Sequence, residues 1–313
     1  MRNKLVMTAV LGAALVTSCV KMSTDDTHRA ISFVPVAEKA TKAILTGTTY
    51  PTSESFKVSA YRSGQAYFEN QTATYNSTLD LWATGTDQYW PLSGALSFYA
   101  FSPASAGLGL SASGAYATRY SITTAEQMTT DLLYASVTVE DCANHPAAVP
   151  LTFSHALSQI VFRVKAAAYY PDISFTFNSL SISGIYSEGD FYAGSWSSQT
   201  SARQYPISSS TTPLTYDAED APETIEIGSY LFIPQDLSAV SALNVGYTIA
   251  QTVNETTYTV ENPPAPVNLR GTITQWEPGK KYIYTINIGI NNVITFTASA
   301  ADWNEANGAF VVE

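Results

Sequence analysis

The chain runs to 313 residues and carries 26 Asp and Glu against 15 Lys and Arg, a formal net charge of −11; an acidic surface of this kind repels nucleic acid and anionic lipid, so no nucleic-acid partner is expected. Charged residues make up only 13% and aromatic residues 12%, a balance that suits strands and polar loops, whereas helical surfaces need more Lys, Glu and Ala. With two cysteines, one of them near the N-terminus, the fold has no disulfide framework and depends on packing.

Arg2 and Lys4 are followed by an apolar run at 5–16 and by small residues ending at Cys19, the charged, apolar and small order of a secretory signal. The run has 12 residues where a bilayer core takes about 20 in a helix, so it is not a membrane span. Val16, Thr17, Ser18 and Cys19 resemble the bacterial lipobox, in which cleavage precedes the cysteine and its thiol takes a diacylglycerol. An ordinary signal cut nearby, leaving Cys19 a free thiol, is the other reading. Acyl chains, each CH₂ worth about 0.8 kcal/mol when buried, would hold the protein at a membrane surface without a helix. The chain beyond residue 18 exceeds a usual single domain of about 100 to 200 residues, so two domains are expected, 19–150 and 151–313.

Period-two apolar runs between turn signals mark the strands, as in a sheet with one buried face. The first set comprises 31–33, 56–61 and, after a turn at 91–94, 96–101. Residues 64–80 between them read as a polar loop. Thr123 and Thr124 with Glu126 and Gln127 predict a helix start, and 154–158 a single helical turn. The stretch 141–150, with Pro146, Pro150 and small residues, is the expected linker, with Cys142 an ordinary loop or half-buried thiol. The second set comprises 160–164, 173–177, 180–182, 225–227, 231–233, 243–249, 258–260, 282–288 and 294–296. Residues 195–222, with serines at 208–210, read as a second long loop. Most of these strands are short and at sandwich spacing, so the fold class is all-β.

Catalytic and metal signatures are lacking. His28, His145 and His155 are widely spaced, and Cys142 with His145 forms a lone C-x-x-H. No nucleophile elbow, cysteine-protease motif, phosphate loop or basic stripe occurs. Glu219, Asp220, Glu223 and Glu226 cluster around Pro222 and read as a solvated acidic patch, not a glycosidase pair. Neither enzyme, metal nor cofactor is expected. The sequons at Asn70, Asn76 and Asn254 carry little weight in a bacterial lipoprotein. Trp82, Tyr89, Trp90, Trp196, Trp276 and Trp303 sit near turns, where large aromatics usually staple the ends of a sandwich core. Trp90 and Trp196 are the two read as possible stacking platforms for a glycan.

An ordered set of short motifs runs from residue 19 to about 303: the lipobox at Cys19, Ile31 with Phe33, Ala40 to Ala43, and Tyr89-Trp90-Pro91 leading to 96–103. These are followed by Asp131 to Ala135, 151–160 with His155, Leu231 to Gln235, Trp276 to Tyr282, and Asp302-Trp303. In that order they resemble the fimbrillin-like proteins, the type V pilins and their relatives.

The resemblance implies two tandem transthyretin-like β-sandwich domains in an outer-membrane lipoprotein. Polymerising members lose their first strand to an arginine-specific maturation protease, and the open groove takes a strand from another pilin subunit, which is β-strand addition. Mapped here, the first strand is 31–37 and the cleavage loop lies around Lys42, where that protease would take an arginine. Arg29 precedes the strand, so a cut there would free the lipid without opening the groove. Cleavage at Lys42, cleavage at Arg29 and no cleavage stand as three outcomes. The segment 309–312 is a short stretch that could pair as a strand. Partners implied are other pilin subunits by donor-strand exchange, the outer membrane through Cys19, and the protease. The alternative is a non-polymerising surface lipoprotein that binds a host protein or glycan through loop aromatics.

Overall fold

The computed structural model describes residues 30–37, 50–271, 273–290, 294–303, 310 and 311, and within them the fold is all-β. Seven strands close into a barrel: β1 (Ser32–Ala37), β2 (Phe56–Arg62), β3 (Gln65–Asn76), β4 (Leu81–Thr84), β5 (Leu96–Ser102), β8 (Leu133–Val139) and β9 (Val149–His155). Between β5 and β8 the chain leaves the barrel to form the hairpin β6 (Gly109–Ser111) and β7 (Gly114–Ser121). Around the barrel the strands run β1-β4-β3-β2-β5-β8-β9. The core is aromatic: Phe33 meets Phe56 and Phe98 edge-on at 5.8 and 5.9 Å, and Tyr50 stacks on Phe153 at 5.5 Å. Edge-on contacts suit the ring quadrupole and add to the burial gain.

The rest of the chain builds two facing sheets. One is ordered β14 (Ile225–Phe232), β10 (Ser158–Ala166), β19 (Lys280–Ile288), β20 (Ile294–Asp302), β21 (Phe310–Val311). The other is ordered β17 (Thr256–Asn268), β16 (Ala242–Val253), β11 (Ile173–Tyr192), β7, β6, with β12 (Ser195–Ser208) and β13 (Thr212–Pro213) also paired to β11. A two-stranded ribbon of β15 (Gln235–Asp236) and β18 (Gln275–Trp276) flanks them. Phe162 and Tyr284 of the first sheet and Phe175 and Phe177 of the second belong to one buried cluster. β19 shows why such strands form: its burial alternates strictly, with Tyr282, Tyr284, Ile286 and Ile288 inward, as a pleat with one covered face requires.

The structure departs from the sequence reading in several segments. The expected loops contain strands β3 and β12, because both pair along most of their length with β2 and β11 although few of their side chains are buried. The runs 173–177 and 180–182 fuse into β11 across a bulge between Phe177 and Ser179, and the runs 225–227 and 231–233 fall largely within β14. No helix forms at 154–158, where β9 ends at His155 and β10 begins at Ser158. At 123–127 Thr124 Oγ1 accepts from the Gln127 amide at 3.2 Å and Gln127 Oε1 accepts from the Thr124 amide at 3.1 Å, a capping box on a turn that does not continue into a helix. The expected linker holds a three-residue 3₁₀ turn, Cys142–Asn144, capped by Asp141, with the Cys142 thiol buried.

Residue 150 lies inside β9, so the cut between the two strand sets does not fall there. Val149, Leu151 and Phe153 pack into the barrel core, while Leu108 and Ala115 from the β6–β7 excursion pack into the other. Register pairing of Tyr116 in β7 with Tyr192 in β11 ties the first half of the chain to the second by a shared sheet.

Candidate functional site

β1 is the strand on which barrel closure depends. It pairs parallel to β9 over five positions, Phe33↔Val149 through Ala37↔Phe153, and antiparallel to β4 over only two, Ser32↔Ala83 and Phe33↔Trp82. Pairing to β4 ends two residues before Pro35, whose ring nitrogen has no hydrogen to offer, so on that side its missing donor costs no ladder bond. Ile31, Phe33 and Pro35 point inward and Val34 is 40% exposed, the alternation that fixes register, since a one-residue slip would expose Phe33. Below the strand, the Ile31 amide donates to Gln88 O at 2.6 Å. Without β1 the barrel would present a groove with β4 and β9 as its edges and the rings of Phe56 and Phe98 as its floor.

A second concavity lies in the other half. It is a cleft of about 620 Å³ between the β11–β12 hairpin and the β15–β18 ribbon, with Tyr186, Trp196 and Gln199 on one wall and Asp236, Gln275 and Glu277 on the other. Gln235 clamps the walls: its Oε1 accepts from the Tyr186 amide at 2.8 Å, and its Nε2 donates to Tyr186 O at 3.2 Å and Ile233 O at 2.9 Å. Buried Trp276 forms the floor. Burial lifts the phenol of its neighbour Tyr282 to about 12.

Of the residues singled out from the sequence, Cys19, Arg29 and Lys42 lie outside the described residues. Trp90 is not a stacking platform. It is 7% exposed, one face lies on the His145 ring at 4.5 Å and 4°, and Phe98 packs T-shaped against it at 5.7 Å, so the ring is too deeply buried to take a sugar. Trp196 is half-buried and lines the cleft. Tyr186, Gln199, Asp236 and Gln275 went unnoticed because they come from separate segments that share no motif, while Gln235 and Glu277 lie within the motifs at 231–235 and 276–282, which gave no sign of a site.

His155 and Asp131 form a buried pair, Nδ1 to Oδ2 at 2.6 Å, with Asp131 Oδ1 accepting from the Leu132 amide and the Trp303 ring stacked 4.0 Å over the imidazole. The carboxylate can only accept, so Nδ1 carries the hydrogen. This pair explains why Asp131, His155 and Trp303 recur among the ordered motifs: they lock the end of β9 to the end of β20. Among the described residues no group of three His, Cys, Asp or Glu could hold a metal, and no helix is long and apolar enough to cross a membrane.

The sequence model of the fimbrillin-like family matches residues 30–303. A candidate cell adhesion protein from Bacteroides ovatus is 17% identical and covers 90% of this chain and 100% of its own, with a TM-score of 0.53. Another from Bacteroides uniformis, also 17% identical with the same coverage, has a TM-score of 0.52. The fimbrial anchor protein Mfa2 from Porphyromonas gingivalis is 10% identical over 88% of this chain and 98% of its own, at a TM-score of 0.36. No curated protein matches the chain.

Proposed function

The chain belongs to the fimbrillin-like family, and from that membership we propose that it is a fimbrial subunit that assembles by β-strand addition through the position of β1. At the coarser level it is an exported cell-surface protein of the fimbrial and adhesive kind, structural and not enzymatic. The observation that carries the finer reading is the uneven hold on β1, five paired positions along β9 against two along β4 and a bridge at Ala30↔Tyr89, around a fully buried Phe33. A strand held so by its neighbours can be replaced by an equivalent strand from another subunit, whose main chain restores the ladder and whose side chains refill the Phe33 pocket. Cys19 carries the acyl chains that deliver the protein to the outer membrane, and a cut at Lys42 removes anchor and strand together.

A second reading, an anchored accessory subunit that keeps β1, is supported by the C-terminal segment. There β21 pairs with β20 of its own chain, Phe310↔Ala300 and Val311↔Ser299, and so is engaged within the molecule. Mass spectrometry of the N-terminus of protein taken from cells separates the two readings. A start at Ala43 with detergent-resistant ladders is the expected result for a polymerising subunit. A lipidated Cys19 on every molecule and no ladder would refute polymerisation and leave the anchored role.

A further inference from the structure

We propose that the cleft between the β11–β12 hairpin and the β15–β18 ribbon binds an uncharged carbohydrate. Its volume of about 620 Å³ is in the usual range for a small-ligand site, about 300 to 1,000 Å³.

The aromatic element is already immobilised. Trp196 Nε1 donates to Ala156 O at 2.6 Å, Phe191 and Tyr120 press on the ring with centroids at 5.2 and 5.7 Å, and Gly189 lies close enough that a Cβ there would come within 3.2 Å of Cε3. An indole held in this way loses no rotamer freedom when a ligand arrives. Its electron-rich face attracts the weakly positive C–H groups of a pyranose ring.

The polar elements are carboxylates and amides. The Asp236 and Glu277 carboxylates can accept from sugar hydroxyls, the stronger kind of hydrogen bond because one partner is ionised. The Gln199 and Gln275 amides offer both donors and acceptors. Gln199 Nε2 already donates to Pro234 O at 3.1 Å and Gln275 Nε2 to Glu277 Oε1 at 2.7 Å, so these groups are oriented before a ligand binds.

Charge selects against acidic sugars. The lining holds Asp236 and Glu277 and no Lys, Arg or His, on a chain of net charge −11, so a sialylated, uronic or sulfated ligand meets like charge without a counter-ion. A basic peptide would meet attraction, but amides and aromatic rings make up half of the lining against two carboxylates, and Glu277 is partly occupied by Gln275. The observations favour the neutral sugar. No residue of β1, β4 or β9 takes part, so the outcome is independent of the fimbrial reading.

The test is an array of immobilised neutral oligosaccharides built on glucose, galactose, mannose and N-acetylhexosamines, with sialylated and sulfated counterparts and a lysine-rich peptide as comparators. Calorimetry is then run on the best neutral ligand. We expect at least one neutral glycan to bind, with affinity falling about tenfold or more in Trp196→Ala and in Asp236→Ala. Because Trp196 packs against the core, Asp236→Ala and Glu277→Gln, at exposed positions, decide the matter if Trp196→Ala fails to fold. Binding of no neutral glycan, preference for the acidic counterparts or the peptide, or undiminished affinity in Asp236→Ala with an unchanged unfolding midpoint would overturn the proposal.

Discussion

Replacing Phe33 by Ala tests how firmly β1 is held. The ring is fully buried and meets Phe56 and Phe98 edge-on; no polar group replaces those contacts, so truncation leaves a cavity bounded by aromatic rings. Truncating a buried Phe costs about 3–5 kcal/mol, the transfer free energy plus the cavity, and each aromatic pair accounts for about 0.5–1.5 kcal/mol beyond area. Val34→Ala is the control, because its side chain is 40% exposed on the same strand and should shift stability by no more than about 0.5 kcal/mol. The assay is urea unfolding followed by tryptophan fluorescence. Trp82 and Trp90 report on the barrel and Trp276 and Trp303 on the facing sheets, so a barrel-specific loss would separate two transitions. A Phe33→Ala cost below about 1 kcal/mol, within the ordinary spread of point mutations, would refute the claim that β1 is bound by the Phe33 pocket.

Two further perturbations arise from the packing. Burial raises Tyr120, Tyr205 and Tyr282 from an ordinary 10.0 to about 12; a raised acid pKa means the native state binds more protons, so stability is full below pH 10 and is lost as pH climbs toward about 12. Spectrophotometric titration should show these buried phenols ionising only as the circular dichroism of the fold is lost; their ionisation with the fold intact would contradict this. Gly194 in the β11–β12 turn has φ +93°, and a Cβ there would strike the Tyr134 hydroxyl, so Gly194→Ala should destabilise by more than about 1 kcal/mol, read as a lower thermal midpoint.

Much of the fold is legible in the residues because burial on one face writes a period of two. Residues 31–35 and 282–288 show it, and both have alternate side chains in a core. Where neither face is covered the signal fades. β12 keeps mainly Tyr205 and Ile207 inward, and its strand character comes from the backbone ladder to β11, which leaves no mark on the choice of side chains. Trp90 misled for a related reason: its type and position next to a turn suit an exposed platform as well as a staple, and only the 141–150 turn, which lays His145 over it, tells the two apart.

The sequence by itself determined an exported, acidic, all-β chain with the motif order of its family, because composition and alternation are local properties. Only the tertiary structure decided that β1 closes a barrel by pairing with a strand 116 residues away, as in Phe33↔Val149. The same holds for the β6–β7 excursion into the second sheet and for the assembly of the cleft from three separate stretches of chain. Pairing between distant segments depends on which surfaces remain unburied once every strand has formed, and that is a property of the whole chain.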